Sequence, residues 1–510
     1  MKDPVGLNRR RRLGIYLNCE PYGGGSFQYC QFILEAMMTL ADRHDIVAFY
    51  TNEIWREVLQ PMACCETYEL TGNFYSRLKE IDGQRCDVIV GTDQSNLAEF
   101  LRTPYIGIIH DLMHRYERAF PEVSANGEYE SRERLYRGTC DFAAGIFVDS
   151  ELGKQQVLES YGRQYADKIY IQPFRVPSYL LGTSSEWQIA DKKYIFYPAQ
   201  FWQHKNHQNL LLAVRQLADE GLRINLVFVG SEKNGSIGVQ RLIHLLQLDE
   251  QVQCLGYVSN DDICRLYAEA RAMVMPTFFG PTNIPPIEAM WLGCPLAVSN
   301  IYAMPDEAKD AALYFDPKCV SSLANVLRRL WTDDDLCKGL SEHGKARRAR
   351  FSPEVFNNRF VENLDRILQI LDGKGKATKS LLELCRMTER IYLYGTGGYC
   401  RLVCSFLRSH GIYANAVLVT CTDDNPKQFL GMPVMTCEAL TRDDSSSLII
   451  LSLNEKYYPE VITLLNKNGL CNYQKIGEDM LEEIRAFSRT AQGRRQEYTD
   501  IVSFEDRNEY

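Results

Sequence analysis

The stretch Phe278-Phe279-Gly280-Pro281-Thr282-Asn283-Ile284-Pro285-Pro286-Ile287-Glu288-Ala289-Met290-Trp291-Leu292-Gly293 follows an apolar run, Arg271–Pro276, that reads as a short buried strand. Thr282 or Asn283 can cap the helix that follows, Pro285 and Pro286 fit its first turn, and Gly293 is placed to end it. A polar loop between strand end and helix start presents free backbone N–H groups and the positive end of the helix dipole, a site suited to phosphate. Glu288, one turn into the helix, lies too deep to be only a cap.

Working outward, 510 residues are too many for one core, and two or three domains are expected. Apolar content of 45% and charged content of 24% are those of an ordinary globular protein. No apolar run is long enough to span a bilayer, and the N-terminus lacks a signal-peptide core. The seventeen cysteines show no Cys-x-x-Cys pair or framework spacing, which favours reduced thiols in a cytoplasmic protein over disulfides or a zinc site. A net charge of −9 argues against a nucleic-acid partner. Arg9–Arg12 is the exception; it reads as a solvated terminus, with peripheral contact to anionic lipid as the alternative.

N-terminal to the opening stretch, Leu13–Leu17 is a strand run leading into Gly23-Gly24-Gly25 and an amphipathic helix from Phe27 to Ala41. The glycines suit either close approach to an anionic ligand or a tight turn needing positive φ. Strand-like runs at Ile46–Tyr50, Val88–Val90, Tyr105–Ile109 and Gly145–Val148 alternate with helical patterns, predicting a parallel sheet with ligands at its carboxyl edge. His110 stands at one strand end, where it can bond a ligand; alone it reads as a satisfied, partly buried side chain. His110 and His114 are four apart, but not on the helix face a metal pair needs.

A second alternating pattern begins with Tyr194–Ala199, followed by Gln200-Phe201-Trp202-Gln203-His204-Lys205-Asn206-His207 and a helix to about Glu220. Lys205 at a helix start opposes the dipole preference, which suggests an anion beside it; a solvated lysine is the alternative. Asn225–Ser231, Val252–Ser259, the opening strand, Pro295–Ser299 and Ala311–Pro317 complete a second open sheet.

Residues 13–370 resemble a glycosyltransferase family 4 enzyme of the GT-B fold. The resemblance is carried by Gly23–Gly25, Ile109-His110-Asp111, Val148–Glu151, Tyr197–His207 and Gly280–Gly293, and the Gly-Pro-Thr-Asn-x-Pro wording is most similar to bacterial surface-polysaccharide mannosyltransferases. It implies an α/β chain of two Rossmann-like lobes, 1–185 on the acceptor side and 186–371 on the donor side, with an interlobe cleft and a last helix crossing back to the first lobe. A nucleotide-diphosphate sugar, guanosine diphosphate-mannose by the resemblance with uracil donors left open, would give its hexose to a glycan, lipid-linked or protein acceptor, with retention of configuration and without a metal or other cofactor. By resemblance Lys205 would neutralise the diphosphate and Glu288 would accept hydrogen bonds from the ribose. Gly230, Tyr257 and Val258 would border the base. Backbone N–H groups of Thr282, Asn283 and Ile284 would meet sugar or phosphate, Gly24 and Gly25 would face them, and His110 would orient the transferred sugar. Two departures stand out. Gly280 replaces the first acid of the family's Glu-x7-Glu pair, and Gln200, counted among the donor contacts, stands where many members have an arginine.

Asp333-Asp334-Asp335 lies between helical segments and reads as helix-start acids rather than a metal clamp. Asp372–Lys376 opens a linker, 372–388, before a third α/β pattern over 389–478 and a helical or frayed tail, 479–510. Its first turn, Gly395-Thr396-Gly397-Gly398-Tyr399-Cys400, holds two of three fingerprint glycines, a possible second nucleotide site at Gly395, Gly397 and Gly398. The segment Thr422–Val434 resembles the small Rossmann-like domain preceding some sugar acyltransferases, which can hold a nucleotide sugar; an empty interaction domain is the other reading. Two rivals therefore stand beside a transferase: a catalytically weak nucleotide-sugar scaffold, and a nicotinamide-dependent sugar oxidoreductase working from the tail domain.

Overall fold

The computed structural model describes residues 10–20, 24–183, 187–188, 194–280, 283–373, 376–423, 425–440 and 447–488. Gly23, Pro281, Thr282 and most of the 479–510 tail lie outside these. The chain forms two compact units. The first unit holds two sheets and the second holds one.

The central strands of each sheet are short apolar runs buried on both faces, as parallel strands covered by helices require. The first sheet comprises β1 (Arg12–Leu17), β2 (Asp45–Tyr50), β3 (Cys65–Glu69), β4 (Val88–Gly91), β5 (Tyr105–Ile108), β6 (Gly145–Val148) and β7 (Ile169–Ile171), ordered 3-2-1-4-5-6-7. The second comprises β8 (Ile195–Pro198), β9 (Leu226–Val229), β10 (Val252–Cys254), β11 (Ala272–Met275), β12 (Leu296–Ser299) and β13 (Ala312–Phe315), ordered 10-9-8-11-12-13. In both, the order reverses beside the first strand, between β1 and β4 and between β8 and β11. That is where a ligand crevice opens beyond the carboxyl ends of the strands. The Pro353–Gly373 helix docks on the first lobe: Gln172 Nε2 donates to the Phe356 carbonyl, and Asn363 Nδ2 to the Ile171 carbonyl, at 3.1 and 3.0 Å.

The second unit carries β14 (Ile391–Tyr394), β15 (Ala416–Val419), β16 (Gln428–Phe429), β17 (Met432–Thr436), β18 (Leu448–Leu451) and β19 (Tyr473–Lys475), ordered 16-17-15-14-18-19, with only β16 antiparallel. Its core corrects the expected boundaries. Residues 372–388 are not a bare linker: the helix Lys376–Arg386 buries Leu381, Leu382 and Cys385 in this unit's core. The helix Glu478–Ser488 does the same with Met480, Leu481 and Ile484, so the domain runs past 478.

Candidate active site

The site grows from two loops at the reversal point of the second sheet. After β8, Asn206 takes a left-handed conformation, φ 59°, and its side chain ties three segments together. Its Nδ2 donates to the carbonyls of Pro276 and Pro317 at 2.8 and 3.0 Å, and its Oδ1 accepts from Asn209 N–H, capping the His207–Asp219 helix. After β11, Phe278 N–H donates to the His204 carbonyl at 2.8 Å, and so does the Thr277 hydroxyl at 3.2 Å. The Lys205 turn and the chain leaving β11 are thereby fixed side by side.

Asn283 stands at the start of the Ile284–Leu292 helix in extended backbone, but its side chain makes no capping bond. It is spent sideways: Oδ1 accepts from Lys205 Nζ at 3.2 Å, and Nδ2 donates to Met304 Sδ at 3.8 Å. Of the helix's first three residues only Ile284 carries an N–H, since Pro285 and Pro286 have none. Gly293 ends the helix with φ 74°. Gly280 has φ 141°, and a Cβ there would fall 2.3 Å from Asn283 Nδ2. A side chain at this position would meet a strained backbone and displace the Asn283 amide, which favours the glycine found here.

The half-buried Lys205 is not a freely solvated lysine. Burial brings its ammonium down to about 8, against the pull of Asp111 and Glu122. From the first lobe, the Cβ positions of Gly24 and Gly25 would lie 3.5 Å from Gln200 Nε2 and 3.7 Å from Ile284 Cδ1. Gly24 thus lies beside Gln200, Gly25 beside Ile284, and Lys205 beside Asn283. His110 packs edge-on to Tyr29, ring centroids 4.9 Å apart, with its side chain 13% exposed. Burial lowers its pKa against Asp93 and Asp111, and its buried Nε2 has no hydrogen-bond partner among the described residues.

Glu288 is buried, and two hydroxyls aim at it. Tyr179 donates to Oε1, and Tyr267 to Oε2 at 2.7 Å. Burial raises its pKa while both tyrosines oppose the rise. Gly230 has φ 153°, and a Cβ there would strike the Ala199 carbonyl at 2.3 Å, so this glycine is required by the closeness of two loops. Tyr257 is exposed and Val258 half-buried.

Sequence reasoning missed four residues. Glu122 of the first lobe accepts from His204 N–H at 3.0 Å and lies 2.6 Å from His204 Nδ1; its other oxygen accepts from Asn234 at 2.9 Å. Burial acts upward on this carboxyl, but the hydrogen bonds from His204 and Asn234 outweigh it and hold the group at about 2. Tyr179 and Tyr267 had no signal beyond a tyrosine in an apolar pattern. Glu307 is the fourth, and only the folded chain brings it near Asn283.

In the second unit, Gly395 (φ 108°), Gly397 and Gly398 form the turn after β14, where the third sheet's order reverses between β14 and β18. A cavity of about 190 Å³ there is lined by Tyr399, Ser452, Asn454, Glu455 and Glu478 among others. Two carboxylates are the wrong charge for phosphate. Among the described residues, no three His, Cys, Asp or Glu are grouped so as to hold a metal. No described helix is long and apolar enough to cross a membrane.

Residues 184–347 match the family model "Glycosyl transferases group 1". The O-antigen chain mannosyltransferase B of Escherichia coli is 26% identical over 263 residues, 48% of this chain and 69% of that protein. The serotype-specific mannosyltransferase WbdA of E. coli is 25% identical over 259 residues, but the match spans only 31% of its length. Sucrose-phosphate synthase from Thermosynechococcus elongatus superposes with a TM-score of 0.57 at 16% identity, covering 71% of this chain and 100% of that one. Anabaena HepE, solved with UDP and glucose, gives 0.55 at 16%, covering 70% and 100%. The chain has the GT-B fold, and its residues 184–347 match the group 1 glycosyl transferases.

Proposed function

We propose that the chain is a retaining glycosyltransferase that moves a hexose, mannose favoured, from a nucleotide-diphosphate sugar to a hydroxyl of a glycan or other acceptor, without a metal, in surface-polysaccharide or glycoconjugate synthesis. The observation that carries this reading is Lys205, its Nζ 3.2 Å from Asn283 Oδ1 at the start of the Ile284–Leu292 helix. Departure of a nucleoside diphosphate builds negative charge. A buried ammonium and a helix N-terminus, both already in place, stabilise it without reorganisation. Gly24 and Gly25 approach from the facing side, and His110 offers the transferred sugar a ring nitrogen with no hydrogen-bond partner among the described residues. Bringing donor and acceptor together between lobes supplies proximity and keeps water from the donor.

Mannose and retention rest on the family 4 resemblance, together with relatives named as mannosyltransferases. Glu288 takes the ribose hydroxyls with the oxygen lone pairs that Tyr179 and Tyr267 leave open. The nucleotide-sugar scaffold is the second reading, favoured by Gly280 and by this double engagement of Glu288. An oxidoreductase working from Gly395–Gly398 has less support, since Glu455 and Glu478 oppose a pyrophosphate. The protein works from the cytoplasm, at most at a membrane surface. The test is a thermal-shift panel of nucleotide sugars followed by mass spectrometry of products with oligosaccharide acceptors. Stabilisation by a guanosine diphosphate hexose and a mass gain of one hexose are expected. Donor binding with neither transfer nor hydrolysis would favour the scaffold.

A further inference from the structure

One acid beside the candidate cleft has no assigned task. Glu307 belongs to the short helix Met304–Ala308 and is 7% exposed, yet its Oε2 is buried without a hydrogen-bond partner among the described residues. Asn283 N–H donates to the carboxyl, and Met304 of the same short helix accepts from Asn283 Nδ2. Glu307 is thereby tied to the residue that also meets Lys205. The charged and titratable groups facing it are Asp149 at the end of β6, Arg347 and Arg350 beyond the Asp334–Ala346 helix, and Tyr314 of β13. Arg347 Nη2 is engaged by the Glu307 backbone carbonyl at 2.8 Å.

We propose that Glu307 contacts the donor, its Oε2 giving a hydrogen bond to an oxygen of the diphosphate held at the start of the Ile284–Leu292 helix. This deepens the nucleotide-sugar reading and rests on it. Burial raises the carboxyl to about 8 against the Asn283 N–H and the two arginines, so near neutral pH it carries a proton to donate. One oxygen takes the backbone N–H while the other donates, as a neutral acid beside an anion requires. No proton leaves the carboxyl and no covalent bond changes. The contact offsets the arginine replaced by Gln200, and it ends when Glu307 ionises and repels the phosphates.

The test is titration calorimetry of the whole chain with GDP and UDP at about pH 7 and about pH 9, on wild type, Glu307→Gln, Glu307→Ala and Lys205→Ala, with melting curves to verify folding. Loss of a hydrogen bond to a charged group weakens binding by about tenfold, the drop expected for Glu307→Ala at the lower pH. Glu307→Gln, which keeps a donor, restores most of that affinity and falls less than wild type between the two pH values; the remaining fall belongs to Lys205. Equal affinity of Glu307→Ala and wild type at the lower pH, or an undiminished pH drop in Glu307→Gln, overturns the proposal. If Lys205→Ala alone weakens binding, the cleft stands and only Glu307 is wrong. If wild type binds neither nucleotide, both fail.

Discussion

Two glycine-bearing segments in this chain hold the same place in their sheets and differ in what surrounds them. Each follows a parallel strand at the point where its sheet reverses order: Gly280–Asn283 after β11 and Gly395–Gly398 after β14. At the first, a lysine, an asparagine side chain and a buried acid converge on the helix start. At the second, a Cβ on Gly397 or Gly398 would meet nothing within 4 Å, and the cavity presents Glu455 and Glu478. A helix N-terminus favours anions wherever it occurs, but only the charges and orphaned groups packed round it make a site.

The comparison breaks most readily by exchange of function. Lys205→Ala should lower kcat/KM for transfer by about 100-fold or more, the scale seen when a preorganised donor to developing negative charge is removed, whereas Gly397→Ala should leave turnover unchanged. A loss in Gly397→Ala with normal turnover in Lys205→Ala would move the activity to the second unit. Next in size is Gly280→Glu, which restores the family's acid. With φ 141° and Asn283 in the way, it should lower the melting temperature by several degrees and reduce activity, a cost of about 1–3 kcal/mol for a strained backbone. Gain of activity would show that the turn adapts.

A smaller effect concerns pH. Lys205 has a folded pKa of about 8, below its ordinary value, so its charge carries an unfolding bias that is fully present below that pH and lifts as pH rises toward the unfolded value. Its help to an anion runs the other way and fades above about 8. Nucleotide-induced stabilisation should therefore decline on the alkaline side, with proton uptake on binding measurable by calorimetry in buffers of different ionisation enthalpy. A flat profile to about pH 10 would contradict the buried ammonium.

The second lobe was legible in the sequence, since all of its strands but β10 are apolar runs between turn residues. β3 was missed because Cys65–Glu69 is an edge strand with polar, partly exposed side chains, and β7 because Ile169–Ile171 is too short to show a pattern. The Lys376–Arg386 helix hid behind its glycine and lysine start, although Leu381, Leu382 and Cys385 lie on one helical face. At the site, Lys205 and Asn283 were visible because motif and turn chemistry are local. Glu122, Tyr179, Tyr267 and Glu307 were not. Each reaches its partner across tens of residues or more, a contact that no periodicity encodes. Asn283 is the instructive middle case: the cap position was readable, but the side chain's turn toward Lys205 depended on the neighbouring loop.

The central claim is that the diphosphate of a nucleotide sugar sits between Lys205 and the start of the Ile284–Leu292 helix. Its most direct test is calorimetric titration of the full chain with a guanosine diphosphate hexose, comparing wild type, Lys205→Ala and Gly397→Ala. The account predicts one site per chain, weakened by about 30-fold or more in Lys205→Ala and unchanged in Gly397→Ala. Binding that survives in Lys205→Ala and is lost in Gly397→Ala would contradict it.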